Sequence, residues 1–304
     1  MPSSAEPPVA VGYHHVDVFS SVAYAGNSVA VIVDPPALTT AQMALITQEL
    51  RHFETVFVQT GPGGGQARAR VFDLAGELDF AGHPVLGTAA VLHQMTGAEP
   101  AAPRDWTVGL RARSVHVRTV ARAGGHVSAV LDAGKPEFLG ALPPAERPGV
   151  AAALGLTVAD LDESLPLEVV STGLRYLVVP VRSAALARAG IRHDDFTGFL
   201  GGYGAQFAYV LDAESLEGRH WNNDGILEDV ATGSAAGCVA AFLLRHGRAG
   251  DGEERSLAQG RFVGRPSRLA ITAHGSPDAV ERVTVGGDVA VVATGFLRQL
   301  PAAG

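Results

Sequence analysis

Apolar and polar residues alternate over residues 11–19, the two-residue period of a half-buried strand. Ala25-Gly26-Asn27 is a turn signal, and residues 28–33 read as the returning strand of a hairpin. Thr39 and Thr40 are N-cap candidates for a helix over about 41–50. A strand at 54–58, a glycine-rich connection at 61–65 and a strand at 67–74 follow, and 108–120 alternates as one or two strands. Beyond Gly124-Gly125, short strands are expected at 127–131, 167–170, 176–180, 207–211, 220–222, 268–273, 282–285 and 289–294. Short helices are expected at 150–154 and 184–190.

Two stretches break this pattern and echo one another. Glu77-Leu78-Asp79 leads through Ala81-Gly82-His83-Pro84 into an Ala-rich apolar run, and Glu228-Asp229 leads through Thr232-Gly233-Ser234 into another. Each run reads as a buried helix, the first to about residue 95 and the second over 235–246. Pro84 suits the first helical position and Ser234 an N-cap. A helix start presents unpaired N–H groups and the positive end of a dipole, which together bind an anion. Two such starts point to a carboxylate-bearing ligand held between two similar halves. Many short strands with one buried helix per half describe two α+β units, each a curved sheet wrapped on its helix. The expected domains are 11–124 and 125–300, with the last strand or tail free to pack back on the first. Strands and helices do not alternate regularly, which argues against a doubly wound parallel sheet.

Composition narrows the function. At 304 residues with 47% hydrophobic content, each half has enough apolar material for a core, and the net charge of −8 argues against a nucleic-acid partner. No apolar run approaches the ~20 residues of a membrane span. The polar N-terminus reads as a disordered tail and not a signal peptide, so a cytoplasmic protein is expected. Cys238 is the sole cysteine, which excludes an internal disulfide. His14 and His15 are adjacent on a strand and face opposite ways, so they do not chelate a metal together. The Gly61–Gly65 loop lacks the Lys-Ser/Thr of a phosphate loop.

Seven landmarks occur in order: Val16-Asp17-Val18-Phe19, Ala25-Gly26-Asn27, Glu54-Thr55-Val56-Phe57-Val58, Phe80-Ala81-Gly82-His83-Pro84, Ser171-Thr172-Gly173-Leu174, Glu228-Asp229 with Ala231-Thr232-Gly233-Ser234-Ala235, and Gly264-Arg265-Pro266-Ser267. Together they resemble the phenazine-biosynthesis PhzF family, whose fold is that of diaminopimelate epimerase. The resemblance implies an α+β fold of two pseudo-symmetric domains, each a β-barrel-like sheet wrapped around a central α-helix, an active site in the cleft between them, a homodimer, and no metal or organic cofactor. It implies a proton-shifting isomerase acting on a small cyclic or amino-acid-derived carboxylic acid. Glu54 matches the family's catalytic glutamate, which takes a proton from one substrate carbon and returns it to another. His83 and Asp229 match its other active-site groups, and Gly82, Gly233, Ser234 and Asn27 fall where the substrate is held. The related epimerase works with two cysteines; one cysteine, past the second helix start, excludes that chemistry here.

A carboxylate suits the task physically. Burial favours its protonated form and shuts out the water that would exchange the proton, and Phe53, Val56 and Phe57 flank Glu54. Several positions depart from the family pattern: Phe53 before the glutamate, Ser28 after Asn27, Val230 after Asp229, and the Asp73-Leu74-Ala75-Gly76 segment. These leave the reaction type better defined than the substrate. The competing expectation is a catalytically quiet member that binds a small carboxylate or serves as a structural partner.

Overall fold

A computed structural model describes residues 10–97 and 102–302. The expected N-terminal tail, residues 1–8, lies outside the described residues. The chain divides into two compact units. The first holds the described residues up to Tyr24, those from Ser28 to Ala129, and those from Val289 onward; the second holds Ala25–Asn27 and Val130–Asp288.

In the first unit the chain runs β1 (Val11–Val18), β2 (Asn27–Val33), α1 (Thr40–Leu50), β3 (Glu54–Thr60), β4 (Gln66–Phe72), β5 (Glu77–Leu78), α2 (His83–Met95), β6 (Arg104–Gly109), β7 (Ser114–Ala121) and β8 (Val127–Gly134). The last strand of the chain, Ala279–Leu297, pairs antiparallel with β1, from Val11↔Leu297 to Val18↔Val289. It closes eight strands into a barrel in the order β1-β2-β3-β4-β6-β7-β8 and back through that last strand. Helix α2 packs on β1, β3, β6 and β7 and is buried from His83 to His93. Its approach to the wall is close. A Cβ on Gly87 would sit 2.8 Å from Val29 Cγ1 and 3.1 Å from Val16 Cγ2. Helix α1 covers β3 and β4, burying Met43 and Ile46 against Ile32, Phe57 and Phe72. Phe57 takes that side of β3, so strand alternation turns Glu54, Val56 and Val58 to the other, towards α2.

The second unit adds β9 (Glu137–Ala141), α3 (Arg147–Ala153), β10 (Glu168–Ser171), β11 (Arg175–Pro180), α4 (Ser183–Leu186), α5 (Phe196–Gly201), β12 (Phe207–Asp212), β13 (Glu217–Arg219), α6 (Gly233–Arg245), β14 (Arg255–Gln259), β15 (Ser267–Ser276) and β16 (Ala279–Leu297). Its sheet order is β16-β15-β14-β13-β12-β11-β10-β9. Helix α6 packs on β10, β11 and β15 and is buried from Ala235 to Leu244. Phe242 and Val239 are wholly enclosed, each worth about 1.5–3 kcal/mol of apolar burial. The short helices α3, α4 and α5 cover a second cluster that includes Leu154, Leu186, Phe196 and Leu200. The α+β class and a central helix in each unit are as expected.

Details differ from the sequence pattern. The 108–120 alternation is two strands separated at residues 110–113, and 282–285 with 289–294 is one long strand running through Gly286-Gly287. The strand expected at 220–222 lies earlier, at Glu217–Arg219. Asn222 instead opens a turn, its N–H bonded to the Leu227 carbonyl 2.9 Å away, with Gly225 at φ +71°. Helix α5 and strands β9 and β14 lie outside the expected elements: they are short and, in β9, almost wholly exposed, so no apolar period marks them. No helix among the described residues is long and apolar enough to cross a membrane.

Candidate active site

The two helix starts gather the residues picked out by sequence into two sets, one in each unit. In the first unit, Glu54 is the opening residue of β3, fixed by parallel pairing with Val29 of β2. His83 is the first residue of α2, after Gly82 at the N-cap, so Pro84 takes the second helical position and not the first. The imidazole Nε2 of His83 lies 3.0 Å from Oε2 of Glu54, with the two side chains 8% and 20% exposed. This is a largely dehydrated contact between a carboxylate and the one side chain that changes charge near neutrality. Glu54 keeps enough exposure to meet a small molecule, while Val56 and Phe57 beside it are buried. Asp79, on the same turn, is 71% exposed and pairs with Arg111 at 3.2 Å, an exposed pair of little energetic weight. The Asp73–Gly76 segment is an Asx-type turn, with Asp73 Oδ1 accepting from the N–H groups of Ala75 and Gly76.

In the second unit the centre is Asp229. Its Oδ1 accepts from Asn27 Nδ2 at 3.0 Å, and its Oδ2 accepts from the Thr232 hydroxyl at 2.6 Å. Asn27 also donates to the Ala231 carbonyl at 3.0 Å. Arg265 holds the turn before Asn27, its Nε donating to the Gly26 carbonyl at 2.8 Å. Ser234 is not the N-cap of α6; that position belongs to Thr232, which has the non-helical backbone (φ −106°, ψ 88°) that a cap requires. An N-cap threonine usually caps its own helix, a bond worth about 0.5–2 kcal/mol. Thr232 makes no such bond and spends its hydroxyl on Asp229. The first turn of α6, from Gly233, therefore keeps N–H groups for a ligand. Ser234 sits in that turn, with its Oγ 2.8 Å from the Tyr176 hydroxyl and its carbonyl accepting from Thr172 Oγ1 at 3.2 Å.

Burial sets the electrostatics behind these groups. It pushes the Tyr176 phenol far above its ordinary range, so that hydroxyl stays protonated. It lowers His220, against the opposing pull of Asp229; the ring's Nδ1 lies 3.0 Å from the Ala208 carbonyl and so carries the hydrogen. Cys238 is buried inside α6, its thiol pushed up to about 12 by burial and 3.3 Å from the Val170 carbonyl. Among the described residues, no three or more His, Cys, Asp or Glu side chains gather as a ligand set for a metal ion.

Sequence reasoning missed Gln259, buried at 1% exposure and bonded to Asp229, Thr232 and Tyr209. No motif marks it. It also missed Tyr176, although Ser171-Thr172-Gly173, just before it, stood out.

The chain is similar to known proteins over nearly its whole length. The phenazine biosynthesis-like protein family, PhzC-PhzF, matches residues 16–295. The trans-2,3-dihydro-3-hydroxyanthranilate isomerase of Pseudomonas aeruginosa is 33% identical over 290 residues, 93% of this chain and 98% of that protein. The solved structure of a predicted epimerase, also from Pseudomonas aeruginosa, is 43% identical, with a TM-score of 0.86 over 94% of this chain and 99% of that one. A PhzF-family phenazine biosynthesis protein of Bacillus anthracis shares the fold, with a TM-score of 0.80 at 23% identity over 95% of this chain and 99% of that one.

Proposed function

The chain belongs to the PhzC-PhzF family of phenazine biosynthesis-like proteins and is an isomerase, and on that premise we propose that it moves a proton between two carbons of a small cyclic carboxylic acid, with Glu54 as acid and base. The substrate class is a dihydro-hydroxyanthranilate-like acid, by analogy with the isomerase named above. The observation that carries the proposal is the Glu54–His83 contact at 3.0 Å at the entrance of a buried helix.

The steps balance without a co-reactant. Glu54, as carboxylate, takes a proton from one carbon of the substrate, and the electron pair of that C–H bond moves into the ring. The adjacent double bond shifts, and a second carbon takes the same proton back from Glu54. His83 holds the carboxylate through its Oε2 and steadies whichever form it is in. The unpaired N–H groups of a helix start hold the substrate's carboxylate and meet the charge that develops between the two proton transfers. Asp229 and Asn27 fix the orientation of the substrate's polar groups. Neither a metal nor an organic cofactor enters this scheme.

The test is proton NMR of trans-2,3-dihydro-3-hydroxyanthranilate with the protein in D2O. Migration of the double bond, with the migrating proton retained on the ring, is the expected result. An acid that binds but stays unchanged, across a panel of related ring acids, would favour a carboxylate-binding protein instead. A homodimer belongs to the same proposal, and light scattering that gives the monomer mass of 31.4 kDa at micromolar concentration would reject it.

A further inference from the structure

Gln259, the deeply buried residue with no motif to mark it, has a hydrogen-bond arrangement with only one sense. It ends β14. The next residue, Gly260, has φ +89°, and a Cβ there would lie 2.3 Å from the Arg265 carbonyl oxygen and 2.5 Å from that of Val230. The backbone at 260 is thus pressed against the segment that leads into α6, and Gln259 reaches that segment from a fixed point.

The orientation of the Gln259 amide follows from groups that can play one part only. The backbone N–H of Thr232 can only donate, and it lies 3.1 Å from Oε1. The backbone carbonyl of Asp229 can only accept, and it lies 3.0 Å from Nε2. The Tyr209 hydroxyl adds a second donor to Oε1 at 3.0 Å. The remaining hydrogen of Nε2 therefore goes to Thr232 Oγ1 at 2.9 Å. With that oxygen accepting from Gln259, the threonine hydrogen points to Asp229 Oδ2 at 2.6 Å. Asn27 is fixed in the same way: the Ala231 carbonyl requires Nδ2 on its side, and that nitrogen also donates to Asp229 Oδ1. Both oxygens of Asp229 therefore accept from donors that cannot reverse.

We infer that Gln259 is a positioning residue of the isomerase: through Thr232 it sets which face of the Asp229 carboxylate is left to accept a hydrogen bond from the substrate. This rests on the reading that Asp229 touches substrate. The lone pairs left on that carboxylate take an O–H or N–H donor, so the group of the substrate that meets Asp229 is a hydroxyl or an amino group and not its carboxylate. The relay also explains why Thr232 leaves its own helix uncapped.

The test uses the full chain, with trans-2,3-dihydro-3-hydroxyanthranilate as the probe. Thr232→Val keeps the side chain's shape and removes the hydroxyl. Gln259→Glu keeps the acceptor for Thr232 N–H and removes the donor towards its hydroxyl. Each is expected to lower kcat/KM by about 10–100-fold, the scale of a small misplacement near the reacting centre, while Thr232→Ser retains most of it. The double variant Asp229→Asn with Thr232→Val should be no slower than Asp229→Asn alone, since the two act as one unit. A strictly structural role would add its loss to that of Asp229→Asn. Wild-type turnover in Asp229→Asn would overturn the reading of Asp229 as a substrate contact. An impaired Asp229→Asn beside an unimpaired Thr232→Val would overturn the relay alone. NMR of the ligand-free protein needs no substrate: Gln259→Glu and Thr232→Val should both move the Asp229 carboxyl carbon and the Asn27 side-chain amide. Unmoved resonances, in folded variants, refute the relay whatever the probe does.

Discussion

Replacing Glu54 by glutamine tests the mechanism most directly. The change conserves side-chain length and volume and removes the capacity to carry a proton. In the structure the carboxylate has its 3.0 Å contact with His83 Nε2 and is 20% exposed, so the amide fits the same space against the imidazole. The loss in stability is then at most one charge-assisted hydrogen bond, about 1.5–3 kcal/mol. Each kcal/mol moves Tm by roughly 2–4 °C in a protein of this size, so the variant should melt within about 12 °C of wild type. Turnover should fall much further. A positioned acid–base group contributes about 10²–10⁴-fold, and a group that both removes and returns the proton belongs at or above the top of that range, about 5.4 kcal/mol of barrier. The assay is double-bond migration in trans-2,3-dihydro-3-hydroxyanthranilate followed by NMR, with binding followed separately by calorimetry. Affinity should survive, since the helix start that holds the carboxylate is untouched. His83→Ala and Asp229→Asn are compared alongside. A folded Glu54→Gln protein with more than about a tenth of wild-type turnover would refute the reasoning and move the proton transfer to another group.

Three further outcomes follow from the surrounding structure. Arg219 is 9% exposed, grips Glu228 through two bonds of 2.9 and 2.6 Å, and donates to the Leu186 and Ala189 carbonyls; Arg219→Met leaves Glu228 buried and unpaired, which should cost about 3–5 kcal/mol in urea unfolding. A loss below about 1 kcal/mol would show that Glu228 finds water or another partner. Burial lowers both His93 (assisted by the nearby Arg104) and His220, so the unfolded chain binds protons first as pH falls. Stability from these two histidines is complete above their ordinary value of 6.5 and is lost below it, so unfolding free energy should decline from pH 7 to pH 5, and His93→Gln should flatten that decline; equal slopes would reject the assignment. The thiol of Cys238, pushed up to about 12, should resist a disulfide reagent at pH 8 in the native protein and react fully in guanidinium, and rapid native labelling would contradict its burial.

The elements most legible in the sequence are those whose pattern is local and strong. Helix α1 carries its own start signal, and the structure shows Thr39 and Gln42 bonded reciprocally as a capping box. Helices α2 and α6 were visible because uninterrupted apolar runs of small residues suit a helix with strands pressed on every side. Gly87 shows the physical demand, since its missing Cβ makes room for Val29 and Val16. What the pattern misplaces is decided by tertiary contact. Residues 220–222 are expected as a strand, yet Trp221 makes only an isolated bridge to Glu228, because the Asn222–Gly225 turn folds the chain back.

The candidate site divides along the same line. Glu54, His83 and Asp229 stand out because each lies within a landmark motif that carries the family resemblance. Gln259 does not, because its importance lies in partners 27 to 50 residues away that only the fold brings to it. The misreading of Ser234 has the same origin. By residue type either Thr232 or Ser234 can cap a helix, and choosing between them requires knowing that Asp229 claims one hydroxyl and Tyr176 meets the other. Asn27 makes the point at greater range: a turn residue by sequence, it reaches Asp229, 202 positions along the chain, and its amide is aligned by a carbonyl two residues beyond that. A side chain chosen for a backbone turn would have no need of that carboxylate. The role of residue 27 is therefore read from the far end of its hydrogen bond, at the acid before α6.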